Sequence, residues 1–173
     1  YLGGVPHPPG YPLYTLVGWL LAKLPISTVV WRVTLLSSIP HAVTATLVYW
    51  LVRHITKRTI PAVFAVSVLV GNYLFFLYSI TPEVFALFDL FVIALIVLLC
   101  QWEQIKDRRY IYAASFVFGL SLSHHHVILF LVPALAYWFI IHKKLFQKHW
   151  SIGLLGYWII GLLPYMYLPI AGA

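Results

Sequence analysis

Long apolar stretches separated by short basic loops are the feature that most constrains the fold of this chain. A helix needs roughly 20 residues to cross the apolar core of a bilayer, which is about 30 Å thick. The six candidate spans are Ile26–Val52, Thr59–Ile80, Glu83–Gln101, Tyr110–Ser123, His126–Ile141 and Ser151–Ile170. We therefore predict an all-α fold, a polytopic transmembrane helical bundle with about six spans.

The composition agrees with a membrane protein rather than a soluble domain. Hydrophobic residues make up 62% of the 173 residues and charged residues only 9%, whereas a soluble domain carries about 25% charged residues. The chain starts at Tyr1 without an initiator Met or a signal peptide, so we interpret it as an internal fragment of a longer protein. We treat residues 1–173 as a single domain. Residues 1–25 form an extracytoplasmic loop plus an interfacial helix, and residues 26–170 form the spans.

The basic residues predict the orientation of the bundle. Nine of the 11 Lys and Arg residues lie in three loops, at residues 53–58, 103–109 and 142–149. With six spans these loops share one side, and positively charged loops stay in the cytoplasm. The extracytoplasmic side then receives Tyr1–Pro12, Ser79–Pro82, Ser123–His126 and Tyr165–Ala173. The charge of +7 is thus a topology signal and not a nucleic-acid-binding surface.

Two stretches are too short to span comfortably. Tyr11–Leu24 is predicted to lie along the membrane interface, with Trp19 and Lys23 as its anchors. Tyr110–Ser123 would be about 20 Å long as a helix, so the histidines that follow it would end below the outer surface. Polar backbone at that depth needs protein or water around it, which predicts a cavity that opens outward.

The acidic residues outside the basic loops are Glu83 and Asp89. Glu83 follows Pro82 and is predicted in the first turn of a helix, where the helix dipole stabilises a carboxylate; this capping role is a complete explanation by itself. Acids at membrane depth are nevertheless functional candidates. Asp89 lies deeper on nearly the same helical face, so the two carboxylates are predicted to line one side of the cavity.

Arg32 and three consecutive histidines are the other polar residues predicted near the outer surface. Arg32 either snorkels to the interface or binds a phosphate with its planar, permanently charged guanidinium. Adjacent histidines on a helix point about 100° apart, so His124, His125 and His126 cannot all face one ion. We predict no metal site and expect one or two of them to bind an anionic ligand. His41 is predicted to be a buried histidine with its polar atoms satisfied.

The segment Gly3–Pro12 is the most unusual stretch, with four prolines and three glycines around His7 and Tyr11. Such a composition forbids a regular helix and fixes a shaped loop, which either only connects or also binds. Motifs such as GxGxxG, Walker A, GxSxG and HExxH are absent from the sequence. The sequence therefore gives no support to a nucleotide-binding enzyme or a metalloprotease of the familiar kinds.

Four blocks of sequence resemble a family of membrane glycosyltransferases. The family was long known only as a domain of unknown function. It has the GT-C architecture, and its animal member is a transmembrane O-mannosyltransferase of the secretory pathway. Leu2–Tyr14 resembles its "LGVAHPPGYPLY" block, Trp31–Ser37 its "WRVNLLS", Glu83–Leu87 its "EVYAL" and Gly119–His126 its "GLSLxNxH". The blocks occur in the family's order and cover nearly the whole chain, and the HPPGYP block is the most specific.

The resemblance implies an enzyme of the extracytoplasmic membrane face, in the bacterial inner membrane or the endoplasmic reticulum. It would transfer a sugar, mannose in the animal branch, from a polyprenyl-phosphate donor to an acceptor hydroxyl of a protein or glycan. No cofactor is implied, and dependence on a divalent metal stays open. By analogy, Arg32 with His125 or His126 would bind the donor phosphate and Glu83 would support catalysis. His7 and Tyr11 would shape the substrate pocket, to which we also assign Asp89.

Departures from the family limit this transfer of roles. Enzymes of this architecture place their catalytic acid in the first extracytoplasmic loop, so we expect that residue upstream of Tyr1. Thr34 and His124 stand where the family has Asn. Two other functions stay open: a transporter or flippase for a lipid-linked or anionic substrate, and a non-catalytic membrane scaffold.

Overall fold

The computed structural model describes residues 10–142 and 148–171, and every regular element within them is helical. The α-helices are α1 Pro12–Ala22, α2 Val29–Thr56, α3 Thr59–Gly71, α4 Tyr73–Ile80, α5 Phe85–Ile105, α6 Arg108–Leu122, α7 Val132–Ile141, α8 Lys148–Gly161 and α9 Tyr167–Ala171. Two short 3₁₀ helices, His126–Leu131 and Leu163–Met166, precede α7 and α9. The prediction of an all-α fold is confirmed.

The helices of residues 10–142 and 148–171 do not clearly give the six predicted spans. By length and composition α2 and α5 can each cross a membrane, and the count rises from 2 to 4 if each of two bent helix pairs forms one span. In the first pair, α3 and α4 meet at an angle of 67°. Asn72 causes this break, because its extended backbone ends α3 and its side chain accepts hydrogen bonds from the N–H groups of Leu74 and Phe75.

Two of the six predicted spans correspond to helices that are short for a bilayer. Helix α6 has 15 residues, which makes it about 22 Å long, less than the thickness of a bilayer core. The stretch His126–Ile141 is also short, and its first part is a 3₁₀ helix rather than an α-helix. Hydropathy alone had counted both as spans.

The surface of the bundle is apolar, as expected for a protein that faces lipid. Ile60 and Phe130 are more than 80% exposed, at 83% and 84%. The interior is built where α5, α6 and the following 3₁₀ helix pack together, with Leu95, Ala114 and Ile128 at its centre. Such large exposed apolar side chains would be a liability in water but are ordinary against acyl chains.

The two ends of the bundle differ in chemistry. At the end that we call the basic end, His54 of α2 bonds Gln104 of α5 across 2.7 Å. Helices α2 and α5 both stop there with a lysine, Lys57 or Lys106, in the left-handed conformation. A positive side chain at this position interacts favourably with the C-terminal end of the helix dipole. Glu103 holds α7 at the same end through Trp138 and His142.

Helix α1 matches the stretch predicted to lie along the membrane interface. It begins at Pro12 and ends at Ala22, and it packs on α2 with Gly18 against Leu36. The ammonium of Lys23 lies 3.4 Å from the centre of the Trp19 ring, a cation–π contact between the two predicted anchor residues. This helix covers the N-terminal part of α2.

Helices α6 and α8 approach each other closely through two glycines. A Cβ atom on Gly119 would clash with the carbonyl oxygen of Trp158 and lie 3.2 Å from the Cα atom of Gly161. A Cβ atom on Gly161 would clash in turn with the carbonyl of Phe116. Small residues at helix interfaces are typical of membrane proteins, where close backbone contact rather than the hydrophobic effect drives association.

We predict that Gly119→Ala destabilises the protein and that Gly156→Ala does not. The added methyl group at residue 119 meets backbone, which cannot move aside, whereas at residue 156 it meets nothing within 4 Å. Overpacking of this kind costs about 1–3 kcal/mol, while alanine in an open helical position is neutral or stabilising. The thermal unfolding midpoints of the two variants in detergent test this, and equal midpoints would contradict it.

Candidate functional site

The starts of α1, α2 and α5 meet the end of α6 at the end of the bundle opposite the basic loops. We call this region the histidine end; it comprises residues 10–14, 28–37, 81–88 and 123–126. Direct contacts hold it together: the N–H of Leu13 donates to the carbonyl of Ser123 across 3.1 Å, and Ser37 bonds the backbone of Glu83. The predicted gathering of polar residues at one end of the bundle is thus a feature of the fold.

The start of α1 positions Tyr11. Gly10 has a φ of 85° and Tyr11 a φ of 40°, a left-handed conformation that is uncommon for a bulky residue. Pro12 then begins the helix, where its fixed φ is favourable. The hydroxyl of Thr15 donates to the carbonyl of Gly10 and stabilises the turn. The turn carries the Tyr11 ring to 5.3 Å from the His125 ring, between centroids.

Residues 81–84 form a non-helical link between α4 and α5, and α5 begins only at Phe85. Glu83 therefore lies before the first helical turn, and the prediction that it caps the helix from inside that turn is wrong. The hydroxyl of Ser37 both accepts from the N–H of Glu83, at 3.0 Å, and donates to its carbonyl, at 3.2 Å. This double contact fixes the backbone of Glu83 against α2.

His124 is completely buried and bonds the same link. Its Nε2 atom lies 2.7 Å from the carbonyl oxygen of Val84. Because a carbonyl only accepts, Nε2 carries the proton, and Nδ1 of the neutral ring is left as an acceptor. Burial lowers the pKa of His124 to about 4, outweighing the opposite effect of the Val84 carbonyl. The ring is therefore neutral at physiological pH.

His125 has the opposite tautomer and faces a different environment. Its Nδ1 atom accepts a hydrogen bond from the N–H of Val127 across 3.2 Å, so the proton of the neutral ring lies on Nε2. Its ring packs near Tyr11, Phe85 and Phe88. Burial and then the neighbouring His126 lower the pKa of His125. His125 thus presents an N–H donor within an aromatic surround.

His126 is exposed and bonds Tyr165. The Tyr165 hydroxyl donates to the carbonyl of Leu122, at 2.9 Å, and its oxygen lies 2.6 Å from Nε2 of His126. The hydroxyl proton is already used, so His126 donates to Tyr165. This pair ties the 3₁₀ helix at residues 163–166 to the end of α6.

Arg32 lies inside the protein and not on its surface. Its exposed fraction is 8%, and it shares the buried face of α2 with Leu36 and Ser37. Its Nε atom donates to the carbonyl of Thr28 across 3.3 Å. Within residues 10–142 and 148–171 no carboxylate forms an ion pair with it. A buried guanidinium without a carboxylate is a strong candidate for binding an anionic ligand.

Asp89 lies deeper in the bundle and pairs with His41. Its Oδ2 atom is 3.2 Å from Nε2 of His41, whose Nδ1 is 2.8 Å from the hydroxyl of Ser79. That hydroxyl donates to the carbonyl of Phe75, so His41 donates to Ser79. One further proton is then shared between His41 and Asp89. The prediction that His41 is buried with its polar atoms satisfied is confirmed.

Tyr14 belongs to the site although the sequence reading did not single it out. Its hydroxyl is buried. The carboxylate of Glu83 lies close enough for its negative charge to act on the pKa of that hydroxyl. Burial, and then the charge of Glu83, raise the pKa of Tyr14 to about 12. Its ring lies 6.0 Å from the ring of His124. The spacing of Tyr11 and Tyr14 by one turn of α1 was the available signal for this position.

The remaining sequence predictions concern His7 and metal binding. His7 lies outside the residues that the structure describes. Across the described parts of the chain, no group of three or more His, Cys, Asp or Glu side chains comes together in a way that could hold a metal ion. The site is thus composed of hydrogen-bonding groups, one buried cation and aromatic rings.

Sequence comparisons give a consistent set of relatives. Residues 2–148 match the family model of the protein O-mannosyl-transferase TMEM260 N-terminal domain. The chain is 36% identical to the protein O-mannosyl-transferase TMEM260 of Mus musculus, over 97% of the chain and 25% of that protein. It is 27% identical to the protein of the same name from Dictyostelium discoideum, over 96% of the chain and 23% of that protein. No solved structure matches the chain significantly.

We predict that His124 makes the protein less stable in acid. Below pH 6.5 the histidine of the unfolded chain gains a proton, while in the folded protein His124 stays neutral down to about pH 4. The unfolded state therefore binds more protons, and His124 alone lowers stability by up to about 2 kcal/mol at pH 5. His124→Asn has no titrating group at this position, so its thermal unfolding midpoint should fall less between pH 7 and pH 5 than that of the wild type. Equal decreases of the two midpoints would contradict the prediction.

Proposed function

The chain belongs to the family of the protein O-mannosyl-transferase TMEM260 N-terminal domain, as its motifs predicted, and on that premise we propose that it is the donor-binding part of a membrane glycosyltransferase. The proposed reaction transfers mannose from a polyprenyl-phosphate donor to a Ser or Thr hydroxyl of an acceptor protein. The chain spans about a quarter of the length of the curated relatives described above. The proposal therefore leaves the general base to residues outside it.

The chemistry sets what the donor-binding part must do. The acceptor oxygen attacks the anomeric carbon, the bond from that carbon to the phosphate oxygen breaks, and polyprenyl phosphate leaves with the electron pair. The proton of the acceptor hydroxyl passes to the general base. Negative charge grows on the leaving phosphate during this step. Fixed cations and N–H donors around the phosphate therefore lower the barrier.

The burial of Arg32 is the observation that carries the proposal. A guanidinium that is only 8% exposed and has no carboxylate partner among the described residues is costly unless an anion joins it. Its planar fork suits two phosphate oxygens at once. Arg32 is on the buried face of α2, near the end where the histidines lie. We assign it to the donor phosphate.

Between the two histidines proposed for the phosphate, the tautomers favour His125. Its Nε2–H is a donor with no hydrogen-bonding partner in the described part of the chain. The N–H of His126 is already used by Tyr165. We therefore propose that His125 donates to the phosphate, and that His126 acts through the position of Tyr165.

Glu83 and Tyr11 complete the proposed pocket. The fixed backbone of Glu83 holds a carboxylate at the histidine end, where it supports catalysis by orienting the sugar. The ring of Tyr11 covers His125 from the side of α1. For His7 the proposed role in the substrate pocket stands on the motif alone. Asp89 lines the deeper part of the pocket through its pair with His41.

The topology that we propose puts this pocket on the extracytoplasmic face. Arg53, Lys57, Lys106 and Arg109 lie at or near the basic end, and positive loops stay in the cytoplasm. The histidine end lies opposite. A polyprenyl-phosphate sugar would then meet its acceptor in the lumen or the periplasm.

We predict that Arg32→Ala and His125→Ala each lower the rate of sugar transfer by about 100-fold to 1000-fold, the usual effect of removing one donor from a developing charge. The assay uses the full-length protein in membranes, with radiolabelled polyprenyl-phosphate mannose and a Ser- and Thr-containing acceptor protein. His126→Ala should have a smaller effect because its N–H is already used. Arg53→Ala, which removes an arginine at the basic end, is the matched control.

Two results would overturn parts of the proposal. If the wild-type protein binds the lipid-linked sugar but transfers it to no acceptor, a transporter replaces the enzyme. If Arg32→Ala transfers at the wild-type rate while expressed at the same level, Arg32 does not bind the phosphate.

The orientation is tested separately by cysteine labelling in a Cys100→Ser background. We expect Ser27→Cys, at the exposed start of α2, to react with an impermeant thiol reagent added outside intact cells or inside sealed lumenal vesicles. We expect Lys57→Cys to react only from the cytoplasmic side. The opposite pattern would move the histidine end, and the proposed pocket with it, to the cytoplasm.

A further inference from the structure

Two buried polar atoms at the histidine end have no hydrogen-bonding partner among the residues that the structure describes. They are the hydroxyl oxygen of Tyr14 and Nδ1 of His124. Their rings lie 6.0 Å apart between centroids, and His124 is completely buried. Each unpartnered buried group costs about 1–3 kcal/mol. Buried polar groups are normally hydrogen-bonded, so two unpartnered groups on neighbouring rings indicate that a ligand group completes them.

The chemistry of that ligand group follows from the two protein atoms. Nε2 of His124 donates to the Val84 carbonyl, so Nδ1 of the neutral ring can only accept. The Tyr14 hydroxyl keeps its proton throughout the physiological range and is available as a donor. The missing group must therefore accept from Tyr14 and donate to His124. A hydroxyl does both, whereas a phosphate oxygen without a proton has nothing to give to Nδ1.

The surroundings also favour a neutral, partly apolar ligand. The rings of Tyr11 and Phe91 lie 6.5 Å and 5.9 Å from the His124 ring, and the carboxylate of Glu83 acts on Tyr14. The negatively charged carboxylate of Glu83 repels a phosphate, but its oxygens accept hydrogen bonds from hydroxyl groups. Aromatic faces with a few placed polar groups are what small-molecule pockets use to fix orientation.

We propose that Tyr14 and His124 bind one hydroxyl group of the transferred sugar. The sugar hydroxyl accepts from Tyr14 and donates to Nδ1 of His124. This inference rests on the proposed glycosyltransferase function and adds a specificity site to it. The phosphate then lies with Arg32 and the N–H of His125, and the sugar lies toward α1. Adjacent histidines with opposite tautomers thus bind the two halves of the donor.

The test compares donors that lack one hydroxyl at a time. Full-length protein in membranes is given polyprenyl-phosphate mannose or its 2-, 3-, 4- or 6-deoxy analogue, and kcat/KM for transfer is measured. We expect the wild type to use one of these analogues about 10-fold to 100-fold less well than the natural donor. Tyr14→Phe should lower kcat/KM for the natural donor by a similar factor.

The decisive observation is the coupling between the variant and the analogue. In Tyr14→Phe the discrimination against that one analogue should largely vanish, while discrimination among the other donors stays as in the wild type. Tyr137→Phe removes a hydroxyl from an exposed tyrosine of α7 and should behave as the wild type with every donor. It is the matched control.

Variants of His124 test whether its Nδ1 atom accepts a hydrogen bond from the sugar hydroxyl. His124→Asn keeps an oxygen acceptor near the position of Nδ1 and should retain the discrimination, whereas His124→Leu should lose it. Because both His124 variants remove the bond from Nε2 to Val84 and risk misfolding, the inference is judged on Tyr14→Phe, which removes a single oxygen.

Three outcomes would overturn the inference. Equal use of all deoxy donors by the wild type would mean that a buried water completes the two atoms. Unchanged discrimination in Tyr14→Phe would mean that Tyr14 does not contact the hydroxyl. In both cases transfer continues and the proposed function stands. A wild-type protein that transfers from no donor would overturn the proposed function and this inference together.

Discussion

The non-helical link between α4 and α5 is the constraint on which the rest of the site depends. Residues 81–84 break the helical backbone inside an apolar bundle, where each unsatisfied N–H or carbonyl is expensive. Side chains from α2 and from the turn after α6 satisfy three of these groups: Ser37 bonds the N–H and the carbonyl of Glu83, and His124 bonds the carbonyl of Val84. These contacts bring α2 and the end of α6 to the start of α5. They also fix the proton of His124 on Nε2.

The position of that proton gives the two neighbouring histidines different hydrogen-bonding roles. His124 is left with an acceptor and His125 with a donor, because each ring uses its other nitrogen on a different backbone group. In the proposed function, these two adjacent side chains therefore contact different parts of one amphiphilic sugar donor. Arg32 extends the donor side with a permanent charge. Aromatic rings from α1 and α5 separate these polar groups from the surrounding apolar bundle.

Sequence reasoning found the helices and the end of the bundle that holds the polar residues, because hydropathy and loop charge determine both. It missed the bend at Asn72, because both halves of that segment are apolar and a hydropathy profile gives no information about the angle between two helices. It assigned Glu83 to the first turn of α5, whereas α5 begins at Phe85 and the backbone of Glu83 bonds Ser37 instead. It also treated His124 only as one of three candidate histidines for binding an anion, and gave it no role of its own. That role depends on a hydrogen bond to a residue 40 positions away, which no local pattern contains.

The close contact between Gly119 and Gly161 has a consequence for biosynthesis. Helix α6 is too short to cross a bilayer comfortably, and its serine hydroxyl at residue 115 bonds the carbonyl of Leu154 in α8. Yet α6 leaves the ribosome well before α8 does. Its stable insertion must therefore wait for a later segment of the same chain. The histidines at the end of α6 reach their final position only when that partner has arrived, so the histidine end is completed only after α8 has been made.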